Sequence, residues 1–443
     1  MRVGVFHARK YYLRNVESAL EALVGRGHEV VLATPERKAK ARYVPRALEG
    51  RVGTAQYPHD RDRSLGLVRA VRDALRYEVP PLRDAHANRA RAWRKLARAY
   101  SDDAKPAAPH LELADDDVAA LDRIFDAIEA IVPPDAGLVE FIRALGLDAA
   151  VVVSRVNFGT SETGVVRAAR AAGVPTSVVV YSWDNLSSKA RVHERPDRLF
   201  VWNDVMAQEA VELHGLQPEE VEAVGAPRFD VFFDLEPSAP REELLADWGF
   251  DPARKTVLYL GSSGFVSKRE PEVIDDWLAA VRAASDANVI VRPHPGVLDE
   301  PVWQGWRPQG ERVAMPVPRR REQDLLDQLA AADAVVALNT SAEIEAAIAG
   351  RPVLTFSAGD LAPGQGGSAH FRYLLAPDGG FAEHADSIAE HVPQLLRALE
   401  LDPHAAQRRA FVERFVRPAG LDRRAGDVLA ERIEALGQLV QVE

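Results

Sequence analysis

The feature that most constrains this chain is a repeated alternation between short apolar segments and segments with apolar side chains at helical spacing. Residues 3–6 form an apolar run, residues 16–24 show the helical spacing, and residues 29–33 are apolar again. Strands that are apolar along nearly their whole length are typical of parallel sheets, because helices cover both faces of such sheets. The start of the chain therefore predicts an α/β fold built on a parallel sheet.

The alternation occurs in two series. The first resumes over residues 149–224 and the second runs over 256–356, and the proline-rich stretch 232–240 between them has the composition of a linker. We therefore predict two Rossmann-like, doubly wound parallel-sheet domains that face each other, over residues 1–235 and 241–410.

Two further segments complete the predicted organisation. Residues 36–135 are rich in proline and in helix-like stretches, and we interpret them as a helical insertion in the first domain. Within it, the acidic run at 115–117 is expected to begin a helix rather than to bind a metal, since acidic side chains suit a helix N-terminus. The helical residues 411–443 are expected to pack back on the first domain.

Composition excludes several classes of function. The chain has 443 residues and no cysteine, so disulfides, cysteine-ligated zinc, iron–sulfur centres and thiol nucleophiles are excluded. No apolar run approaches the ~20 residues of a membrane helix, and the apolar start is too short for a signal peptide. A formal net charge of −11 argues against general nucleic-acid binding. We therefore expect a cytoplasmic protein with no nucleic-acid partner.

The charge is unevenly distributed along the chain. Residues 36–100 contain 17 Lys and Arg against 7 Asp and Glu, a local net charge of +10, which leaves −21 for the rest. One interpretation is a solvated helical face. The other is a patch for an anionic lipid surface or a phosphorylated acceptor, which would place the protein peripherally at the inner membrane face.

A small polar segment follows an apolar strand in the second half and opens a helix. It begins with Asn339, Thr340 and Ser341. Free backbone N–H groups at such a position suit a phosphate, and Thr340 with Glu343 has the spacing of a capping box. Both interpretations can hold together. Glu345 lies one helical turn from Ser341, so both side chains can face one ligand.

Two more loops follow strands of the same predicted sheet. The first loop contains Arg292 and His294, and a proline on each side of His294 makes the loop rigid. His294 can bond a phosphate from this position, and a purely structural histidine is the alternative. The second loop permits close backbone approach and offers hydroxyl groups, although many such loops are only turns. Its residues are Gly261, Ser262, Ser263 and Gly264. Ligands bind at this edge of doubly wound sheets.

The first half offers candidates for the reaction itself. Trp183, Asp184 and Asn185 follow a strand, and Asp184 is a candidate general base, with a simple polar turn as the alternative. His7, after the first strand, is the second candidate base, with a structural histidine as the alternative. Residues Thr160 and Ser161 precede a helix and are expected to line the same acceptor side.

A glycine-rich loop later in the chain carries Gln365 and His370. We expect it to close over a bound donor, with both side chains on the donor side. The twelve histidines include no pair at the three- or four-residue spacing of a helical metal site, so no metal site is predicted.

Several of these segments resemble glycosyltransferases of the GT-B fold. Residues 23–30 look like the end of their first helix and their second strand, 224–230 resemble the entry to their interdomain linker, and 345–352 match their donor-site helix. His294 followed by proline, together with Ser341, resembles the HP and serine motifs of the bacterial branch with sialyl-, Kdo- and glycerophosphate-type transferases.

The resemblance implies a metal-independent transferase without a cofactor, whose substrate is a nucleotide-activated sugar. It implies that Glu345 binds the nucleotide ribose and that His294 and Ser341 contact donor phosphate, while Asp184 or His7 deprotonates a glycan or lipid-linked acceptor. Glycan or surface polysaccharide synthesis is the expected context. The helix at 345–352 also resembles that of UDP-GlcNAc 2-epimerases, so an epimerase remains an alternative, as does a non-catalytic nucleotide-binding or scaffold protein of the same fold.

Overall fold

In the computed structural model, every described strand pairs in parallel with its neighbours, and the strands form two separate sheets. The structure describes residues 1–36, 43–58, 65–84, 86–99, 113–159, 162–264, 266–316, 321–338, 340–359 and 368–438. The chain divides into two units. The first comprises Met1–Asp230, Gly367–His370 and Glu413–Glu443, and the second comprises Val231–Gly366 and Phe371–Val412.

The sheet of the first unit has seven strands in the order β3-β2-β1-β4-β5-β6-β7. They are β1 Arg2–His7, β2 Glu29–Pro35, β3 Gly53–Tyr57, β4 Ala149–Ser154, β5 Thr176–Val180, β6 Arg198–Val201 and β7 Val221–Ala223. The helices before the second unit are α1 Glu17–Gly25, α2 Gly66–Arg76, α3 Pro80–Arg83, α4 His86–Ala99, α5 Asp115–Ile131, α6 Ala136–Leu145, α7 Glu162–Ala171, α8 Asn185–Ser188 and α9 Asp204–His214.

The sheet of the second unit has six strands in the order β10-β9-β8-β11-β12-β13. They are β8 Thr256–Leu260, β9 Asn288–Arg292, β10 Val313–Ala314, β11 Ala334–Ala337, β12 Val353–Phe356 and β13 Ala382–Ala385. The remaining helices are α10 Asp230–Asp234, α11 Arg241–Asp247, α12 Glu270–Ala284, α13 Pro301–Gln304, α14 Arg321–Ala331, α15 Ala342–Ile348, α16 Ile388–Glu400, α17 Ala405–Val416 and α18 Ala425–Gly437.

Apolar strand residues form the core of each unit because both sheet faces are covered. In the first unit, Val5 and Val151 on the sheet pack in one cluster with Leu20 of α1 and Leu429 of α18. In the second, the strands pack in one cluster with Trp277 of α12, which is fully buried. The continuous apolar runs in the sequence therefore predict these strands correctly.

The segment 36–135 is not only a helical insertion. Gly53–Tyr57 forms β3, which pairs in parallel with β2 at one edge of the first sheet. Most side chains of β3 are exposed or half-buried, so the strand lacks the apolar run that marks the others. The segment predicted as a helical insertion therefore also contributes one edge strand to the first sheet.

Arginines of the basic segment 36–100 form internal ion pairs. Arg72 is 2% exposed and lies 3.2 Å from Asp122 and 2.7 Å from Asp126, and it also pairs with Glu129. Arg69 lies 2.6 Å from Glu129. These contacts join α2 to α5, so at these two arginines neither a solvated face nor a free basic patch is present. The acidic run predicted to begin a helix forms the first turn of α5.

The last helix belongs to the first unit and is attached there through Asp230. This carboxylate is 1% exposed and accepts hydrogen bonds from Ser18 Oγ at 2.8 Å, from Arg417 Nη2 at 2.7 Å and from the Gly426 N–H at 2.8 Å. It thereby ties α1 and the start of α18 together. Within the described residues, no helix is long and apolar enough to cross a membrane.

Candidate functional site

The order of strands in the first sheet reverses between β1 and β4, and candidate residues follow the strands at that point. His7 pairs with Val153, and Ser154 pairs with Val180, so the ends of β1, β4 and β5 lie side by side. Side chains just after these strands meet at one edge of the sheet. Ligands bind at such a reversal in doubly wound folds.

His7 has the chemistry of a general base. Its side chain is 0% exposed, and its Nδ1 lies 3.2 Å from the carbonyl oxygen of Arg9, which assigns the proton of the neutral ring to Nδ1. Nε2 is buried and has no hydrogen-bond partner among the described residues. Burial lowers the pKa of His7 to about 4, although the bond to Arg9 acts in the opposite direction. Above that pH, Nε2 carries a lone pair that can accept a proton.

Asp184 is held in an ion pair. Lys189 Nζ lies 3.0 Å from its Oδ2, and Asn185 Nδ2 donates to its Oδ1 at 3.0 Å. Burial opposes ionisation, but the positive charges of Lys189 and His370 outweigh it and hold the pKa of Asp184 well below its usual range. A carboxylate with so low a pKa has little affinity for a proton, which disfavours Asp184 as the base.

Trp183 and Asn185, predicted on the acceptor side, lie in the interior. Trp183 is 4% exposed, and its ring meets those of His370 and Phe415 edge-on at 5.1 and 6.1 Å. Asn185 is fully buried, and its Oδ1 accepts a hydrogen bond from the Ser182 N–H at 3.1 Å. Both side chains therefore shape the loop in this structure, and their predicted role on the acceptor side stays a prediction.

His370 was predicted on the donor side, but the structure groups it with the first unit. It is 3% exposed and packs against Trp183. Four other predicted site residues lie outside the described part of the chain: Thr160, Ser161, Asn339 and Gln365.

An aromatic group that the sequence analysis missed lies at the same edge. We call Tyr11, Tyr12, Tyr181 and Arg155 the tyrosine cluster. The ring centroids are 5.0 Å apart for Tyr11 and Tyr12, 5.2 Å for Tyr12 and Tyr181, and 6.1 Å for Tyr11 and Tyr181. The guanidinium of Arg155 lies 5.3 Å from the centroid of the Tyr181 ring. The sequence does contain a signal for this group, because two adjacent tyrosines lie among the basic residues that directly follow β1.

The turn after β4, which carries Arg155, is strained and firmly held. Val156 has φ of 50°, a conformation that a β-branched residue rarely adopts. Ser154 Oγ accepts from the Val156 N–H at 3.0 Å and donates to Glu162 at 2.6 Å. Strained backbone of this kind concentrates at functional sites.

The second sheet also reverses its strand order, here between β8 and β11. Leu260 pairs with Arg292 on one side and with Ala337 on the other, so three loops start at the same level of one edge. These are the loops that follow β8, β9 and β11, and they contain the predicted donor residues.

The loops after β8 and β9 touch at Gly261. Its N–H donates to the carbonyl oxygen of Arg292 at 2.8 Å, and a Cβ at this position would lie 3.0 Å from three backbone atoms of residues 292–294. Only glycine fits there without displacement of the backbone. His294 is half-buried, and its Nδ1 accepts from the Gly296 N–H at 3.0 Å, so Nε2 carries the proton of the neutral ring and is the donor.

Arg292 and Ser262, both predicted on the donor side, point into the unit. Arg292 is 7% exposed, and its Nη1 donates to Gln328 at 3.0 Å. Ser262 is 0% exposed. Their side chains therefore support the loops, whereas Ser263 and Gly264 are half-buried at the edge.

Glu270 supports the loop after β8. Its role was not predicted, because a glutamate before a proline is ordinary at the start of a helix. The Ser262 N–H donates to its two carboxylate oxygens at 2.9 and 3.0 Å, and the Tyr259 hydroxyl donates at 3.3 Å. The side chain is fully buried. Burial raises the pKa of Glu270 to about 7, more than these hydrogen bonds lower it.

The loop after β11 leads into α15. The Thr340 N–H donates to Glu343 Oε1 at 3.1 Å, which is the carboxylate half of the predicted capping box. Ser341 is half-buried directly before the helix, and Glu345 is 4% exposed. Their predicted roles toward donor phosphate and ribose stay predictions. Among the described residues there is no group of three or more His, Asp or Glu that could hold a metal ion.

No protein-family model and no curated protein matches the sequence. Solved structures are similar to it over nearly their whole length. UGT89C1 of Arabidopsis thaliana, complexed with UDP, is 13% identical with a TM-score of 0.54, and the match covers 98% of this chain and 99% of that one. A glycosyltransferase from Rickettsia africae is 8% identical with a TM-score of 0.53 and coverage of 100% and 99%.

An epimerase is similar to the same degree. UDP-GlcNAc 2-epimerase from Neisseria meningitidis, bound to UDP-GlcNAc, is 10% identical with a TM-score of 0.52, and the match covers 98% of this chain and 100% of that one. The predicted GT-B fold, with two Rossmann-like parallel-sheet domains, is thereby confirmed. The resemblance to the HP-motif branch stays a prediction.

Proposed function

We propose that the protein is a glycosyltransferase that moves a sugar or related group from a nucleotide-activated donor to a hydroxyl acceptor, without a metal ion. One observation carries the proposal. Three loops start side by side where the strand order of the second sheet reverses, and two of them contain His294 and Ser341. UDP-bound structures of the same fold support a nucleotide as the donor's leaving group. Cytoplasmic glycan or surface polysaccharide synthesis is the proposed context.

The second unit would hold the donor. The protonated Nε2 of His294, the hydroxyl of Ser341 and the loop of residues 261–264 would stabilise the negative charge that grows on the phosphate as the nucleotide leaves. Glu345 would bind the ribose. In this proposal neutral donors and backbone N–H groups provide the stabilisation.

The first unit would hold the acceptor. The acceptor hydroxyl oxygen forms a bond to the anomeric carbon while the bond from that carbon to the phosphate oxygen breaks, and the hydroxyl proton passes to a base. His7 suits this role better than Asp184, since its Nε2 is unprotonated above about pH 4 whereas Asp184 is ion-paired with Lys189. Asp184 would then orient Lys189 and the loop after β5.

A nucleotide-sugar epimerase is the second candidate, because an epimerase of the same fold is equally similar. An epimerase converts the donor with no acceptor present, whereas a transferase needs one. Incubation with UDP-, CDP-, GDP- and CMP-sugars, with product analysis with and without added acceptors, separates the two. Conversion of the donor sugar without an acceptor would refute the transferase assignment.

His294 tests the proposed donor site. His294→Ala should lower turnover by roughly 10²–10³, the usual effect of losing one group that stabilises developing charge, while the fold persists. His404→Ala is the matched control, since His404 is also a half-buried histidine of the second unit but lies outside the three loops. A folded His294→Ala variant with undiminished turnover would exclude this role.

A further inference from the structure

A strongly basic segment follows β1, directly beside His7. Arg9 and Lys10 are exposed, Arg14 is half-buried, and Tyr11 of the tyrosine cluster is 39% exposed. No ion pair of Arg9 or Lys10 occurs within the described residues. The segment therefore presents cations and an aromatic ring to solvent at the edge where β1 ends.

Arg155 and Arg9 both act on the tyrosine cluster. The Arg155 guanidinium lies 5.3 Å from the centroid of the Tyr181 ring and interacts electrostatically with Tyr11. Burial raises the pKa of the Tyr12 hydroxyl, and the positive charges of Arg155 and Arg9 both act on that hydroxyl in the opposite direction. Both arginines thus lie within electrostatic reach of one group.

Exposed cations lie next to the cluster in sequence, and two carboxylates lie within electrostatic reach of it. Arg9 and Lys10 are exposed directly before Tyr11 and Tyr12, while Glu162 acts on the Tyr12 hydroxyl and Asp184 acts on Arg155. One carboxylate is ion-paired with Lys189, and Glu162 is 3% exposed beneath Ser154. Both carboxylates thus have partners of their own, and Arg9 and Lys10 carry exposed positive charge at this edge.

We propose, resting on the proposed function, that the tyrosine cluster with Arg9 and Lys10 is the acceptor subsite and takes a hydroxyl compound that carries a phosphate group. Tyrosine rings offer flat faces to a sugar or polyol, and the guanidinium fork matches phosphate oxygens. A phosphate bound there places a neighbouring hydroxyl at the end of β1, where Nε2 of His7 receives its proton. This subsite supplies exposed positive charge of the kind that a phosphorylated acceptor needs.

Binding of a soluble sugar phosphate tests the proposal without any donor. Glucose 6-phosphate and glucose are titrated separately against the full chain at low salt, with calorimetry as the readout. We expect glucose 6-phosphate to bind more tightly, and its affinity to fall as NaCl is added. Arg9→Gln and Arg155→Gln should each weaken it ~10–100-fold, the effect of losing one charge-assisted hydrogen bond.

A control variant makes the result specific. Arg123→Gln removes an exposed arginine of α5 and should leave the affinity unchanged. Arg9 is exposed, so its variant keeps the test valid even if the half-buried Arg155 proves necessary for folding. Measurable but equal affinity for the two sugars, or equal losses in the Arg9 and Arg123 variants, would overturn the proposal.

The phosphate can also belong to a lipid-linked acceptor, so a second arm uses vesicles. Flotation with phosphatidylglycerol vesicles is compared with phosphatidylcholine vesicles, in the wild type and in Arg9→Gln. Binding that depends on Arg9 in either arm supports the subsite and identifies the source of the phosphate, and binding in neither arm overturns it. Nucleotide binding by the second unit is a separate titration, so failure of the proposed function is distinguishable from failure of this subsite.

Discussion

Replacement of Glu270 by glutamine should change how stability depends on pH. Glu270 is fully buried below the loop after β8, and burial raises its pKa to about 7 from an ordinary value of 4.5. A carboxyl group whose pKa is raised in the folded state contributes stability that is fully present below pH 4.5 and is lost as pH rises through 7. The wild type therefore loses stability from this group across the window from pH 4.5 to about 7.

The size of the effect follows from the shift. The difference between about 7 and 4.5 is about 2.5 pKa units, which corresponds to roughly 3 kcal/mol in the free energy of unfolding. Glu270→Gln keeps a side chain of the same size and an oxygen for the Ser262 N–H, but it does not ionise. The variant should gain on the wild type as pH rises, by up to on the order of 3 kcal/mol at pH 8.

Urea denaturation followed by circular dichroism at pH 5, 6, 7 and 8 measures this difference. Glu272→Gln is the matched control, because Glu272 lies on the same helix in solvent and pairs with Arg269, which lowers the pKa of Glu272. Its variant should show no gain with rising pH. A difference between Glu270→Gln and wild type that stays constant from pH 5 to 8 would refute the reasoning about burial.

Two further predictions concern the first unit. His7→Ala should lower turnover by roughly 10²–10⁴. It should also remove the fall in rate near pH 4, because the base must be unprotonated to act. If Asp184→Asn has these effects and His7→Ala does not, His7 is not the base. Gly426→Ala would place a Cβ 2.7 Å from the backbone carbonyl carbon of Ser18, so thermal and urea unfolding should show a loss of roughly 1–3 kcal/mol. Gly66→Ala, where a Cβ meets nothing within 4 Å, should show no loss, and equal behaviour of the two would contradict this packing argument.

Much of the fold can be predicted from the sequence, because the central strands of a parallel sheet must be apolar on both faces. For that reason the predicted series 256–356 begins with the strand Thr256–Leu260 and ends with the strand Val353–Phe356. Three strands escaped prediction, Gly53–Tyr57, Val313–Ala314 and Ala382–Ala385, and all lie at sheet edges. An edge strand packs on fewer neighbours, so its sequence carries a weaker pattern.

The roles of the site residues were harder to predict from the sequence, because they depend on which side chains are buried. The sequence places both His7 and Asp184 directly after strands, so either could be the base. The ion pair of Asp184 with Lys189, which disfavours Asp184, is visible only in the structure. Glu270 looks like an ordinary helix start, and its buried position under the Ser262 backbone follows from tertiary packing alone. Trp183 lies in the interior of the first unit, and its burial likewise follows from tertiary packing.

Calorimetric titration with UDP, CDP, CMP and GDP tests the central claim most directly, because every part of the proposed mechanism needs a nucleotide-activated donor at the second sheet. The account predicts that at least one nucleotide binds and that His294→Ala and Ser341→Ala weaken it, each by ~10-fold or more as a charge-assisted hydrogen bond is lost. Binding of none of the four, or equal binding by wild type and both variants, would contradict it.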